Sequence, residues 1–271
     1  MIGRLLGWWR KKLEPAPVPD ALWDELLIAQ PFLAALDDEE KARLRRLTEC
    51  FLAEKEFTSA GGLELDNAIC LSIAAQGCLP ILNLGLDYYR GWLGIIVYPD
   101  EFIIPRSVED EFGIVHEYRE LASGEAWDGG PLLISWCDAQ LAGAGYNVVI
   151  HEFAHKLDML SGEANGVPPL PPEISRAAWQ RTLLACFDDF CARVDEAAAK
   201  DGETLLDPYG AENPGEFFAV MSEAFFETPD VLQAEYPALY ENLAGFYRQD
   251  PARRRLALDS ACRTVCRPPT V

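Results

Sequence analysis

The chain has 271 residues, 49% apolar and 11% aromatic, enough for one large core or for one core with a small appended lobe. Its formal charge is −21, from 44 acidic against 23 basic residues, which repels phosphate backbones and argues against direct nucleic-acid binding. No run approaches the roughly 18 consecutive apolar residues of a membrane span, and the opening MIGRLLGWWRKK does not read as a secretory signal, so a cytoplasmic location is expected.

Residues 1–19 read as a flexible basic segment, with Arg10-Lys11-Lys12 behind Trp8 and Trp9, that runs into the proline-spaced linker EPAPVP. A single catalytic domain is expected over 20–260 and a tail over 261–271. A helix begins near Ala21, and a second runs from Asp37, its cap, to Ala53 with Leu44, Leu47 and Phe51 at helical spacing. The segment LELDNAICLSIAAQGCLPIL holds a third, which stops before Pro80. Three β-branched and aromatic runs follow: GIIVYP (94–99), GIVHEYREL (113–121) and PLLISW (131–136). From Asp138 the pattern is helical to the end, with a proline-rich break at 168–172. Together these predict an α+β, mostly helical domain with a small mixed or antiparallel sheet between helical layers.

The eight cysteines contain no C-x-x-C pair, so a zinc ribbon or a thioredoxin-like motif has no support. Most are expected as small, buried, reduced side chains. Cys262 and Cys266, four apart, could share a helix face, and the basic cluster Arg253-Arg254-Arg255 is expected on an exposed C-terminal arm or on a segment that closes a cleft.

The residues that carry chemistry are His151-Glu152-Phe153-Ala154-His155. On a helix, positions four apart lie one turn apart on one face, so both imidazoles can meet one metal ion. Glu152 is turned aside by one residue step and can reach a water on that metal. Catalytic zinc takes three protein ligands and one open position, and lowers the pKa of such a water to about 7. The chain holds only three histidines, so this pattern is rare by chance. Asn147 suits the N-cap, and Val148, Val149, Ile150, Phe153, Ala154 and Leu157 make the helix apolar enough to be buried.

The third ligand must come from elsewhere. Ser161 stands where a metzincin would have its third histidine, and His116 falls on the alternating strand Ile114-Val115-His116-Glu117-Tyr118, an ordinary exposed position. A carboxylate is therefore expected, from the helix that Asn213 caps and Pro214 opens. Glu216 and Glu223, seven apart on one face, are equal candidates by spacing; Glu216 could otherwise close a capping box, and Glu223 could serve as an outer acceptor. Asp158 reads as a group orienting a histidine N–H or a neighbouring side chain. Tyr209, in the turn Asp207-Pro208-Tyr209-Gly210, could donate to an oxyanion or simply pack.

Several longer blocks now bear on identity: GCLPILNLGLDYYRGWLGIIVYPDEFII, WDGGPLLISW, NVVIHEFAHKLDML, DPYGAENPGEFFAVMSEAFFETPDVL and FYRQDP. In these the chain resembles the Mlc titration factor A family of bacterial zinc metallopeptidases, over about residues 45–255. The resemblance implies a gluzincin-type core similar to the catalytic domain of anthrax lethal factor, with one Zn2+ per chain. It implies Glu216 as the third metal ligand beside His151 and His155, Glu152 as general base, and Tyr209 as the tyrosine that stabilises the transition state. It also implies aminopeptidase-like or small-peptide activity and a partner, an Mlc-like transcription repressor of sugar phosphotransferase genes. The peptide is expected to lie extended against an edge strand, for which PLLISW is the candidate. The rival reading is a repressor-titrating protein whose zinc is mainly structural; another is a zinc hydrolase of non-peptide amides or esters.

Overall fold

In the computed structural model, which describes residues 15–109, 115–143 and 145–256, the first helices form where the sequence supplies caps and breaks. Helix α1 (Asp20–Ala29) gives way to α2 (Pro31–Ala34) because Pro31 has no amide hydrogen to continue the first helix. Helix α3 (Asp38–Glu54) opens with a complete capping box: the Asp37 carboxylate accepts the Glu40 N–H at 2.8 Å, and Glu40 accepts the Asp37 N–H at 3.2 Å. Strand β1 (Glu56–Ser59) follows, then α4 (Asn67–Cys78), capped by Asp66 and ended ahead of Pro80.

Strands β2 (Gly94–Tyr98), β3 (Phe102–Glu109), β4 (Val115–Ala122), β5 (Gly124–Ala126) and β6 (Leu132–Ser135) complete the β structure. The main sheet has the order β1-β2-β6-β5, with β1, β2 and β6 parallel and β5 antiparallel at one edge. Strands β3 and β4 form a separate antiparallel hairpin. The chain is thus α+β with a small mixed sheet, as the sequence predicts.

Two expectations about that sheet are corrected. It does not lie between two helical layers. Ile95, Val97, Leu132 and Ile134 face the main core, whereas Leu133 packs against Phe102 and Ile104 of the hairpin. Nor is PLLISW an edge strand: β6 sits between β2 and β5, with all four residues buried. A run without polar alternation is the mark of a strand covered on both faces, and edge strands rarely read that way. The edge beside the chemistry is β5.

The rest is helical: α5 (Trp136–Ala139), α6 (Val148–Asp158), α7 (Arg176–Ala199), α8 (Pro214–Glu227), α9 (Pro229–Glu235) and α10 (Pro237–Tyr247), with irregular chain over 168–172. Every residue of α6 is buried. Phe153, which lies between the two histidines in sequence, points away from them into a box of Phe51, Tyr89 and Trp92, with ring centres 5.7, 5.1 and 5.8 Å away. Gly77 of α4 forms the wall of this box, since a Cβ there would lie 2.5 and 2.7 Å from Phe153 Cε1 and Cε2. Lys156 donates to the carbonyls of Trp127 and Gly130 at 2.5 and 2.9 Å, which ties α6 to the end of β5.

Of the six described cysteines, all unpaired, only Cys78 is buried; Cys137 is exposed and the other four are half-buried, contrary to expectation. On α7 the reason is visible: the buried stripe is only Trp179, Leu183 and Phe190, and Cys186 and Cys191 flank it. Cys262 and Cys266 lie outside the described residues. The basic cluster is not a free arm either. Arg254 bonds Glu40 at 2.5 Å, and Arg255 donates to the Glu227 carbonyl at 2.6 Å. No helix among the described residues is long and apolar enough to cross a membrane.

Candidate metal centre

The site begins with two helix caps. Asn147 starts α6 by accepting the Ile150 N–H at 2.9 Å, which fixes the phase of the helix and so the direction of His151 and His155. Asn213 starts α8 by accepting the N–H groups of Gly215 and Glu216 at 2.9 and 3.0 Å, with Pro214 in the first turn. With its own amide so bonded, Glu216 can direct its side chain toward α6.

Those helices bring three electron-pair donors to one point. His151 Nε2 and His155 Nε2 are 3.1 Å apart, and Glu216 Oε2 lies 3.0 and 3.2 Å from them. Among the described residues this is the one group of His, Cys, Asp and Glu whose atoms converge closely enough to hold a metal ion. Burial works to lower the His151 pKa, but hydrogen bonds to Glu216 and Glu223 and the charges of Glu223 and Glu152 outweigh it and hold the ring well above its usual range. For Glu216 burial pushes upward, and the two histidines overcome it and hold the carboxyl well below its usual range. The two imidazole nitrogens and the carboxylate oxygen are the donor set that a divalent cation takes, and they lie close enough together to share one. The residues fit a metal.

Glu223, the other carboxylate that spacing left open, takes a different place. Its Oε1 accepts from His151 Nδ1 at 2.7 Å, and its Oε2 accepts the Asn147 N–H at 2.6 Å. A carboxylate can only accept there, so Nδ1 carries the proton and Nε2 keeps its lone pair toward the metal point. Asn147 goes on to donate from Nδ2 to Gln76 Oε1 at 3.0 Å and to Glu227 Oε1 at 2.8 Å, which closes a buried network across α4, α6 and α8. Replacing Glu223 by alanine is expected to weaken affinity for a divalent metal ion by about 10–100-fold without abolishing it; competition titration against a metal chelator reads this directly, and unchanged affinity would remove Glu223 from the site.

Glu152 is 5% exposed, and its Oε2 has no hydrogen-bond partner among the described residues. Burial pushes its carboxyl up to about 7, against the opposing pull of His151 and His155. A carboxyl poised there can both take and return a proton near neutral pH. Tyr209, in a short 3-10 turn over Pro208–Ala211 held by the Asp207 carboxylate, places its ring centre 5.9 Å from that of His151. Burial, then the charge of Glu216, pushes its phenol upward, so it remains a proton donor.

Asp158 does not bond a histidine. Its Oδ2 accepts the Gly166 N–H at 2.6 Å and so ties down the loop ahead of α7, while Asp158 Oδ1 and His155 Nδ1 are each buried without a partner among the described residues. His116 is exposed on β4, opposite Val108, and is not among the converging donors.

Beside His151, Glu152 and Glu223 lies a cleft of about 310 Å³, bounded by the hairpin, by β5, by Tyr146 and by Tyr209. One wall carries an ion-pair cluster with no signal in the sequence. Arg106 on β3 bonds Glu125 on β5 through two nitrogens at 2.8 and 2.6 Å, and Glu120 on β4 at 2.6 Å. These residues lie 14 and 19 positions from Arg106, and only strand register and packing bring them together.

The chain is 38% identical over 253 residues to a protein of Salmonella arizonae named Mlc titration factor A, covering 92% of this chain and 99% of that one. Proteins of the same name from Salmonella typhi and from Enterobacter sp. (strain 638) are also 38% identical, over 256 and 258 residues, covering 92% of this chain and 94% of each. Residues 5–248 match the family described as glucose-regulated metallo-peptidase M90. The paired histidines of α6 and the carboxylate of α8 thus stand in a chain that belongs to the glucose-regulated metallo-peptidase M90 family.

Proposed function

We propose that the chain is a zinc-dependent peptidase whose metal is held by His151, His155 and Glu216, with Glu152 as general base. The observation that carries this reading is the meeting of three donor atoms within 3.2 Å, beside a buried carboxylate without a partner. A zinc ion held there supplies Lewis-acid chemistry, polarising a carbonyl and acidifying a water. The protein does the rest. Glu223 fixes the His151 tautomer. Glu152 takes the proton of the attacking water and returns it to the leaving amine. Tyr209 donates its phenolic hydrogen to the oxygen of the carbonyl under attack.

The substrate is a small peptide cut in aminopeptidase-like fashion, taken into the cleft that His151, Glu152 and Tyr209 line. It lies extended along β5, which closes one end of the sheet and borders the cleft beside Glu152. A second role, binding an Mlc-like transcription repressor, is favoured by the name of relatives that align with 92% of this chain. A cytoplasmic setting suits the six unpaired cysteines.

The deciding experiment measures zinc by elemental analysis and follows cleavage of short chromogenic peptides. About one zinc per chain is expected, with cleavage lost to a chelator and restored by zinc. No zinc after reconstitution would end the peptidase reading and leave repressor binding standing.

A further inference from the structure

The general base of the proposed reaction is held in an unusual way. Glu152 Oε2 has no hydrogen-bond partner among the described residues, so no network through that atom fixes the carboxylate. What it meets instead is bare backbone. A Cβ built on Gly124 of β5 would lie 2.6 and 2.7 Å from Glu152 Cγ and Cδ, and closer still to Oε1. The Glu152 side chain therefore occupies the space that a side chain on residue 124 would need.

Neither element can retreat. Strand β5 is locked by its ladder to β6, with Gly124 opposite Ile134 and Ala126 opposite Leu132. It is locked again by the paired bonds from Arg106 to Glu125, the residue next to Gly124. Helix α6 is buried along its whole length and pinned by the aromatic box around Phe153. The φ of Gly124 is not in the left-handed region, so the backbone there would accept any L residue. The glycine is required by space, not by conformation.

We infer that Gly124 is the positioning residue for the general base: its missing side chain is the surface on which the Glu152 carboxylate rests, and a methyl group there displaces the base. This rests on the peptidase reading and adds to it a residue outside the metal-binding motif. The Arg106–Glu125 pair then acts as the brace that keeps this surface in place.

Gly124→Ala in the full-length, zinc-loaded protein tests it. A carboxylate moved by about an ångström should lower kcat by about 10²-fold, a larger effect than any on KM, with zinc content unchanged. The same substitution in a Glu152→Gln background should cost nothing further, because the two act through one contact. Thermal unfolding gives a reading independent of turnover. Gly124→Ala should lower Tm by roughly 3–8 °C through overpacking, and that loss should vanish in a Glu152→Ala background, where the overlap is relieved. If Gly124→Ala alone does not fold, folding of the Gly124→Ala/Glu152→Ala double variant supports the contact, and its failure to fold overturns it. Unchanged kcat in Gly124→Ala beside an inactive Glu152→Gln overturns this inference and leaves the peptidase reading intact. Full activity in Glu152→Gln removes Glu152 as the general base of the proposed reaction instead, and the unfolding cycle still decides whether the contact exists. Lost zinc, or Tm losses that simply add, also overturn it.

Discussion

Glu152→Gln is expected to lower peptide turnover by about 10²–10⁴-fold while the protein keeps its zinc and its fold. Glutamine preserves the volume of a side chain packed against Gly124 and removes only the ability to take a proton. None of the three converging donor atoms belongs to Glu152, so metal content should match the wild type. The change should fall on kcat more than on KM, because proton transfer contributes at the transition state and not to ground-state binding. Steady-state kinetics beside elemental analysis decide the point. Turnover equal to wild type would show that the carboxylate is a bystander and that the water is activated by another group.

The second large effect concerns the metal. His155→Ala should purify with essentially no zinc, and Glu216→Ala should behave the same way. Each removes one of three donors, so the loss must exceed the roughly 10–100-fold that an outer partner such as Glu223 costs. The alanine variant of His155 also leaves Glu216 and His151 facing each other without their third member, in a pocket where His155 itself is 7% exposed. A fall in thermal stability should therefore accompany the loss of metal. The contrast between Glu216→Ala and Glu223→Ala is the sharper half of the experiment. If Glu223→Ala empties the site and Glu216→Ala does not, the two carboxylates have exchanged roles. Peptidase activity should follow zinc content across the set.

How much of this could be read in the sequence varies residue by residue. Asn147, Asn213 and Pro214 announce two helix starts through local chemistry, and both caps form as expected. The four-residue spacing of His151 and His155 carries its own geometry, since one helical turn makes them neighbours wherever the helix sits. Asp37 and Glu40 likewise form a capping box within four residues of chain. In each case the interacting groups are close in sequence, so backbone geometry alone sets their separation.

The rest depended on elements far apart in the chain. Glu216 and Glu223 share a face of α8, and no pattern along the helix tells which oxygen meets Nε2 and which meets Nδ1. The packing of α8 against α6 decides it. The apolar run 131–136 announces a strand but not its neighbours, and β6 proved internal because β2 and β5 flank it. Asp158 turned to the Gly166 amide because a loop folds back beneath α6. Arg106 with Glu120 and Glu125, and Gly124 against Glu152, have no signature at all, since a salt-bridge partner or a needed absence of side chain appears only once two strands and a helix meet. The short-range features of the site are legible in the sequence: its helix, its caps, its paired imidazoles and the buried carboxylate of Glu152 between them. Packing sets the long-range contacts, which carboxylate joins the two imidazoles and what lies against Glu152, because those contacts join residues whose separation along the chain sets no separation in space.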